Sequence, residues 1–144
     1  MTALIIPTRR VVLAALKAAP EVTALVAADE IYPQTTPEDH GWPFGRWDGP
    51  SSIPLNAACV RGAEISFMVH WFAKPRYEAK QMVETAEDHC ARILAAASIV
   101  LSGNRFTVGG RAFRTRVTSE LLRRDGDEAD AFHGTLNCIA RVLA

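Results

Sequence analysis

The sequence predicts an α+β domain: an antiparallel sheet of about four strands with helices packed on one face. Three observations lead there. "GAEISFMVHWFAK" (62–74) alternates with the period of two that a strand imposes. "PRYEAKQMVETAEDHCARILAAAS" (75–98) instead places apolar residues at helical spacing. The last third of the chain holds two turn signals, Gly109-Gly110 and Asp125-Gly126, each between strand-like runs. A helix with one apolar stripe has to bury it against a partner, and an antiparallel sheet supplies the surface. At 144 residues the chain fits one domain, 1–144, with a Pro/Trp-rich insert at about 33–54.

Taken in order, Thr8 is placed to cap a helix over Arg9 to Ala18, with Val12, Leu13 and Leu16 on one face. Pro20 suits the first turn of a second short helix reaching Ala27, because its missing N–H has no partner there anyway. The opening "MTALIIPTRRVVLAALKAAP" reads as this amphipathic arm and not as an export signal, since Lys17 and Pro20 cut its apolar run short. From Ile31 to Pro54 the composition changes. Pro33, Pro37, Pro43, Pro50 and Pro54 surround Trp42, Phe44 and Trp47, and the expectation is irregular chain that packs on its own subunit or on a neighbour.

In the following strand Ala63, Ile65, Phe67, Val69 and Trp71 share one face; Glu64, Ser66, Met68, His70 and Phe72 share the other. The second face is only half polar, so it is covered or meets a partner. Pro75 is expected to open the long helix, with Met82, Val83, Ala86, Cys90, Ile93, Leu94 and Ala97 on its stripe and Lys80, Glu84, Glu87, Asp88 and Arg92 opposite. "RFTVGGRAFRTRVTSELL" reads as strand, turn, strand, and the last strand brings Phe132, Leu136, Cys138, Ala140 and Val142 into phase.

Composition limits the function. The 16 basic and 16 acidic residues balance, so no global field draws the chain to nucleic acid or an anionic membrane. Its longest apolar-leaning run, Ile93 to Leu101, is half of the roughly 20 residues a membrane span needs. The three cysteines, Cys59, Cys90 and Cys138, are odd in number and far apart, which argues against a disulfide framework or a zinc ribbon. His89 and Cys90 diverge by about 100° on a helix and do not serve one site, and Cys90 falls on the apolar stripe. His40, His70 and His133 lack metal-ligand spacing; the two on strands read as surface or interface residues. A small hydrolase using His89 or His133 finds no nucleophile elbow in support. The expectation is no catalytic, metal or cofactor site.

The charge pattern says more. Arg105, Arg111, Arg114, Arg116, Arg123 and Arg124 fall within twenty residues that hold one acid, Glu120. A basic strip facing nucleic acid or an acidic neighbour and a solvated sheet face fit this pattern equally. The run Asp125, Asp127, Glu128 and Asp130 follows at once. A basic strip beside an acidic tip would pair head to tail with a copy of itself, a contact that closes into a ring when the rotation allows. The candidate interface residues are therefore Arg114, Arg116, Arg123, Arg124, Asp125, Asp127, Glu128 and Asp130, with Trp42 and Trp47 of the insert. A nucleic-acid-binding module would use the same arginines with Trp42, Phe44 and Trp47 as stacking surfaces.

The order of pieces resembles the tail terminator, or tail completion, proteins of long-tailed bacteriophages and gene transfer agents. The marks are "ALKAAPEVTALVAADEIYPQTTP", then "WPFGRWD", then "ISFMVHWFAK" with its long helix, and the closing "RRDGDEADAFHGTLNCIARV". The resemblance implies helices on an antiparallel sheet and no enzymatic activity or cofactor. It further implies a homo-hexameric ring that caps the tail tube and joins it to the head, within the virion and after synthesis in the bacterial host cytoplasm. The implied partners are further copies of the chain, the tail tube protein and a head-to-tail connector or stopper, with DNA passing through the ring without specific binding and no membrane involved. A head-completion (neck) protein of similar build is the near alternative. The insert from Pro33 to Pro54 is longer than the resemblance implies.

Overall fold

The computed structural model describes residues 2–55, 59 and 61–143. Helices α1 (Ile5–Ala18) and α2 (Pro20–Thr23) come first, followed by strands β1 (Ile31–Tyr32), β2 (Phe44–Pro54) and β3 (Gly62–Ala73). A small hairpin, β4 (Arg76–Glu78) and β5 (Gln81–Glu84), precedes helix α3 (Ala86–Leu101). Strands β6 (Arg105–Val108), β7 (Arg111–Arg124) and β8 (Phe132–Leu143) close the chain.

The main sheet has six strands, more than the four expected, in the order β1-β2-β3-β8-β7-β6; β4 and β5 form a separate pair. All neighbours in the main sheet are antiparallel except β1 and β2. Alternation along β3 works as the sequence implies: Ala63, Ile65, Phe67, Val69 and Trp71 are at most 2% exposed. They share the inner face with Leu136, Cys138, Ala140 and Val142 of β8 and Phe113 of β7, beneath α1 and α3. Full burial of each large side chain there contributes roughly 1.5–3 kcal/mol. Two glycines allow the close packing. Gly45 lies opposite Trp71, where a Cβ would meet the indole at 2.5 Å, and Gly134 lets Leu94 and Cys90 of α3 approach β8.

Four local expectations are corrected. Helix α1 begins at Ile5, not Arg9, because Pro7 is tolerated in its first turn; Thr8 is inside it and donates to the Leu4 carbonyl at 2.6 Å. Helix α2 is a single turn ending at Thr23 and does not reach Ala27.

The third correction concerns the insert, whose irregular part ends at Pro43. Phe44 to Pro54 form an edge strand, where proline is tolerated, and the pairing shifts between Asp48 and Ser51, which brackets Pro50. Fourth, the long helix starts at Ala86, not Pro75. The Thr85 hydroxyl accepts the Asp88 N–H at 3.1 Å as a cap, and Arg76 and Arg92 both hold Glu84, fixing the hairpin base against the helix. Met82 and Val83, placed on the stripe by spacing, are about half exposed on β5, at 52% and 48%.

Candidate subunit interface

The outer face of the sheet, away from the helices, can be read row by row from the register. At one end Arg105, Arg114 and Arg141 stand directly opposite one another on β6, β7 and β8, and Glu64 of β3 completes the row. Like charges directly opposite on a sheet repel. Glu64 meets Arg141 at 3.4 Å; among the described residues Arg105, Arg114 and Arg116 have no ion pair. Arg116 adds to the same face, and together these side chains border an open depression of about 330 Å³ lined by Glu64, Arg114, Arg116, Ile139 and Arg141.

Further along β7 the pairing slips between Val117 and Ser119. An odd number of positions separates Arg116 from Arg123, so regular alternation would put them on opposite faces. The bulge returns Arg123 to the outer face, opposite His133, and sends Arg124 to the other side, opposite Phe132, whose ring lies 5.9 Å from its guanidinium. The four arginines read as one strip thus divide: Arg114 and Arg116 together, Arg123 at the far end, Arg124 on the opposite face.

The acidic run forms the turn between β7 and β8. Asp125 N donates to the Ala131 carbonyl at 3.0 Å, and the Asp125 carboxylate accepts the Asp127 N–H at 3.1 Å. Lys74 reaches Glu128 at 3.9 Å, while Asp127 and Asp130 have no ion pair among the described residues. The turn packs beside the insert: Glu38, Trp42, Phe44, Asp125, Asp127 and Glu128 all border one groove of about 270 Å³. Trp42 is half-buried there under the Lys74 ammonium, 4.5 Å from its ring. Trp47 is 3% exposed and stacks on Phe67 at 4.3 Å, which removes it from the surface open to a neighbour. Phe44, 5% exposed, is stacked against Phe72, and Trp42 lies at the opposite end from the arginine row.

On the outer face beside the acidic turn lies a feature that spacing could not reveal. His70 Nδ1 and His133 Nε2 are 2.7 Å apart, with the Thr135 hydroxyl 3.2 Å from the first and 3.4 Å from the second. Phe72 stacks on His133 at 4.4 Å. Asp48 Oδ2 lies 3.3 Å from His70 Nε2, off the line of a good hydrogen bond. Burial lowers the pKa of His70, and Arg46 adds to the effect against the pull of Asp48. For His133 burial, then the neighbouring His70 and Arg123, lower it to about 4. Both shifts favour the neutral rings, and in the neutral pair one ring donates to the other. The signal available in the sequence was the shared outer phase of His70 on β3 and His133 on β8.

The remaining candidates for chemistry are structural. His89 is buried with Nδ1 2.8 Å from the Lys74 carbonyl, tying α3 to the end of β3. The Cys90 and Cys138 thiols are pushed up to about 12, chiefly by burial, far from a reactive thiolate. Among the described residues no group of three or more His, Cys, Asp and Glu is arranged to hold a metal ion, and no helix is long and apolar enough to cross a membrane.

The sheet is covered by helices on one face and carries basic residues at one end of the other face and the acidic turn at the opposite end. Comparison defines the class: the chain is a phage tail-completion protein. It belongs to the family of tail completion protein gp17, which matches residues 10–143. Its fold is similar to that of a chain in the solved structure "Virion of native gene transfer agent (GTA) particle", with a TM-score of 0.74 over 94% of each chain at 18% identity. No curated protein matches the sequence.

Proposed function

We propose that the chain is the tail terminator: a non-enzymatic subunit whose copies, six in the expected ring, close head to tail, cap the finished tail tube and join it to the head. The observation that carries this reading is the separation of the unpaired charges. Arg116 precedes Asp125 by nine residues along an extended strand, about 30 Å at roughly 3.3 Å per residue, so the two ends of one subunit do not neutralise each other. A second copy in the same orientation brings them together, and repetition closes a ring.

In this reading Arg114 and Arg116 of one copy meet Asp125, Asp127, Glu128 and Asp130 of the next, with Trp42 beside the acids. Arg123 and Arg124 stand at the acidic end of their own subunit and frame the turn. The tail tube protein and a head-to-tail connector or stopper take the two axial faces, and DNA passes through the ring without specific binding. The ring works at the head-to-tail joint of the virion after synthesis in the host cytoplasm.

Light scattering over a concentration series tests this, with a species near six subunits expected for the wild type. Reversing Arg114 and Arg116 to Glu should weaken assembly at least tenfold. Mixing that variant with an Asp127→Arg, Glu128→Arg partner should restore part of it. Unchanged assembly in the arginine variant would remove the charged contact.

A further inference from the structure

The sequence contains two Asp-Gly pairs, Asp48-Gly49 and Asp125-Gly126. Aspartate followed by glycine is the pairing most open to cyclic imide formation, because no side chain on the second residue shields its backbone nitrogen from the carboxyl carbon of the first. Reaction also requires that nitrogen to stand against the carboxyl group, and a folded chain ordinarily prevents this by holding the amide in a hydrogen-bonded ladder.

The fold treats the two pairs differently. At the bulge of β2, Asp48 is paired with Met68 and Ser51 with Ser66, while Gly49 and Pro50 have no partner on β3. The Gly49 N–H is donated instead to Asp48 Oδ1 at 2.8 Å, which sets the nitrogen against its neighbour's carboxylate. Strand β1 pairs with Gly45 and Arg46 alone, so the far side of β2 is open here, and Asp48, Gly49 and Pro50 are all exposed. In the β7–β8 turn Asp125 is half-buried and its N–H is held by the Ala131 carbonyl at 3.0 Å. Its carboxylate accepts the Asp127 N–H at 3.1 Å, one residue beyond the nitrogen that would have to attack.

We infer that Asp48 is a site of spontaneous isomerisation to isoaspartate and that it converts faster than Asp125 in the folded protein. The reaction needs only water. Once the carboxylate has taken a proton from solvent, the Gly49 nitrogen bonds to Asp48 Cγ and a Cγ–O bond breaks. The oxygen departs as water, carrying the amide proton and the carboxyl proton. A second water then opens the cyclic imide: attack at Cγ restores Asp48, whereas attack at the main-chain carbonyl carbon breaks that carbon's bond to Gly49 and leaves the chain running through Cβ and Cγ. The new acid ionises and returns the proton to solvent. The product has one more methylene in its backbone and carries its carboxylate on Cα. An unpaired bulge on an open edge absorbs the added length. The carboxylate is nevertheless withdrawn from His70, whose Nε2 lies 3.3 Å from Asp48 Oδ2, so the modification reaches the histidine pair.

The test incubates the full-length folded protein near neutral pH, below its unfolding transition, for several weeks. Peptide mass spectrometry then finds the imide as a species lighter by one water. Isoaspartate appears as a peptide of unchanged mass and altered retention that resists an Asp-specific endoproteinase at the Trp47–Asp48 bond. Conversion at Asp48 should exceed that at Asp125 by about tenfold in the folded protein, the gain expected from holding the reacting groups together. In guanidinium chloride the two sites should convert at comparable rates. Asp48→Glu keeps a carboxylate but lengthens the ring that must close, and should abolish conversion at this position while leaving that at Asp125. Equal conversion at the two sites in the fold, faster conversion at Asp125, or none at Asp48 would overturn the inference. A tenfold difference that persists in guanidinium chloride would trace it to flanking residues and overturn the role given to the bulge.

Discussion

Lowering the pH from 7 to 5 should destabilise this fold through one pair of rings. His70 Nδ1 and His133 Nε2 are 2.7 Å apart, so the native state accommodates a proton between them but not a charge on both. With ring centroids 4.8 Å apart, two positive charges would repel by about 3 kcal/mol at an effective dielectric near 20. Arg46 and Arg123 oppose protonation further, while Asp48 and Asp125 favour it without overcoming the burial. In the unfolded chain these restraints vanish. His133 then regains its ordinary value of 6.5, against about 4 in the fold.

The folded value is the lower one, so the unfolded chain takes up the proton first as pH falls. Stability is present above about 6.5 and is lost on the way down to about 4. Over the whole interval His133 accounts for about 3 kcal/mol, and between pH 7 and 5 for about 2 kcal/mol. Urea unfolding followed by tryptophan fluorescence at both pH values measures it. His133→Gln keeps a hydrogen-bonding side chain beside His70 and removes the titration, so its loss between pH 7 and 5 should be about 2 kcal/mol smaller than that of the wild type. Equal losses in the two proteins would refute the argument.

Other perturbations probe the packing. Gly45→Ala places a methyl 2.5 Å from the Trp71 ring, which is fully buried, and should cost about 1–3 kcal/mol of unfolding free energy in the same urea assay. Thr85→Ala removes the cap of α3 and should cost about 1 kcal/mol, with Thr85→Asp close to neutral because it can accept the same N–H. A thiol reagent at pH 8 should label Cys59 within minutes and leave Cys90 and Cys138 unmodified until urea is added, since burial raises both buried thiols to about 12.

Where the sequence reading succeeded, the information was local. The alternation of β3 is a property of successive residues, and the Gly109-Gly110 turn needs the left-handed backbone that both glycines adopt, with φ of 59° and 76°. Where it failed, a local signal competed with a contact it could not see. Met82 and Val83 have helical spacing relative to Cys90, but Ala79 and Lys80 turn the chain back with φ of 48° and 67°, and Glu84 is held by arginines on both sides. The prolines of the insert read as a break in regular structure because nothing in their spacing says that Phe44 to Pro54 lies at an edge.

The sequence by itself determined the fold class, the inward faces of β3 and β8, the apolar stripe of α3 from Ala86 onward and the order of segments that pointed to the family. Hydrophobic periodicity and turn chemistry act over a few residues, and they are written in the chain. Only the tertiary structure decided which charges stand together. A single slip in pairing near Thr118 reversed the phase of β7, placing Arg123 on the face of Arg114 and Arg116 and removing Arg124 from it. The pairing of β3 with β8 joined His70 to His133 across 63 residues of sequence, and the packing of the insert set the acidic turn beside Trp42. Register and long-range proximity depend on how separate strands meet, and a one-residue shift between them exchanges the two faces of everything that follows.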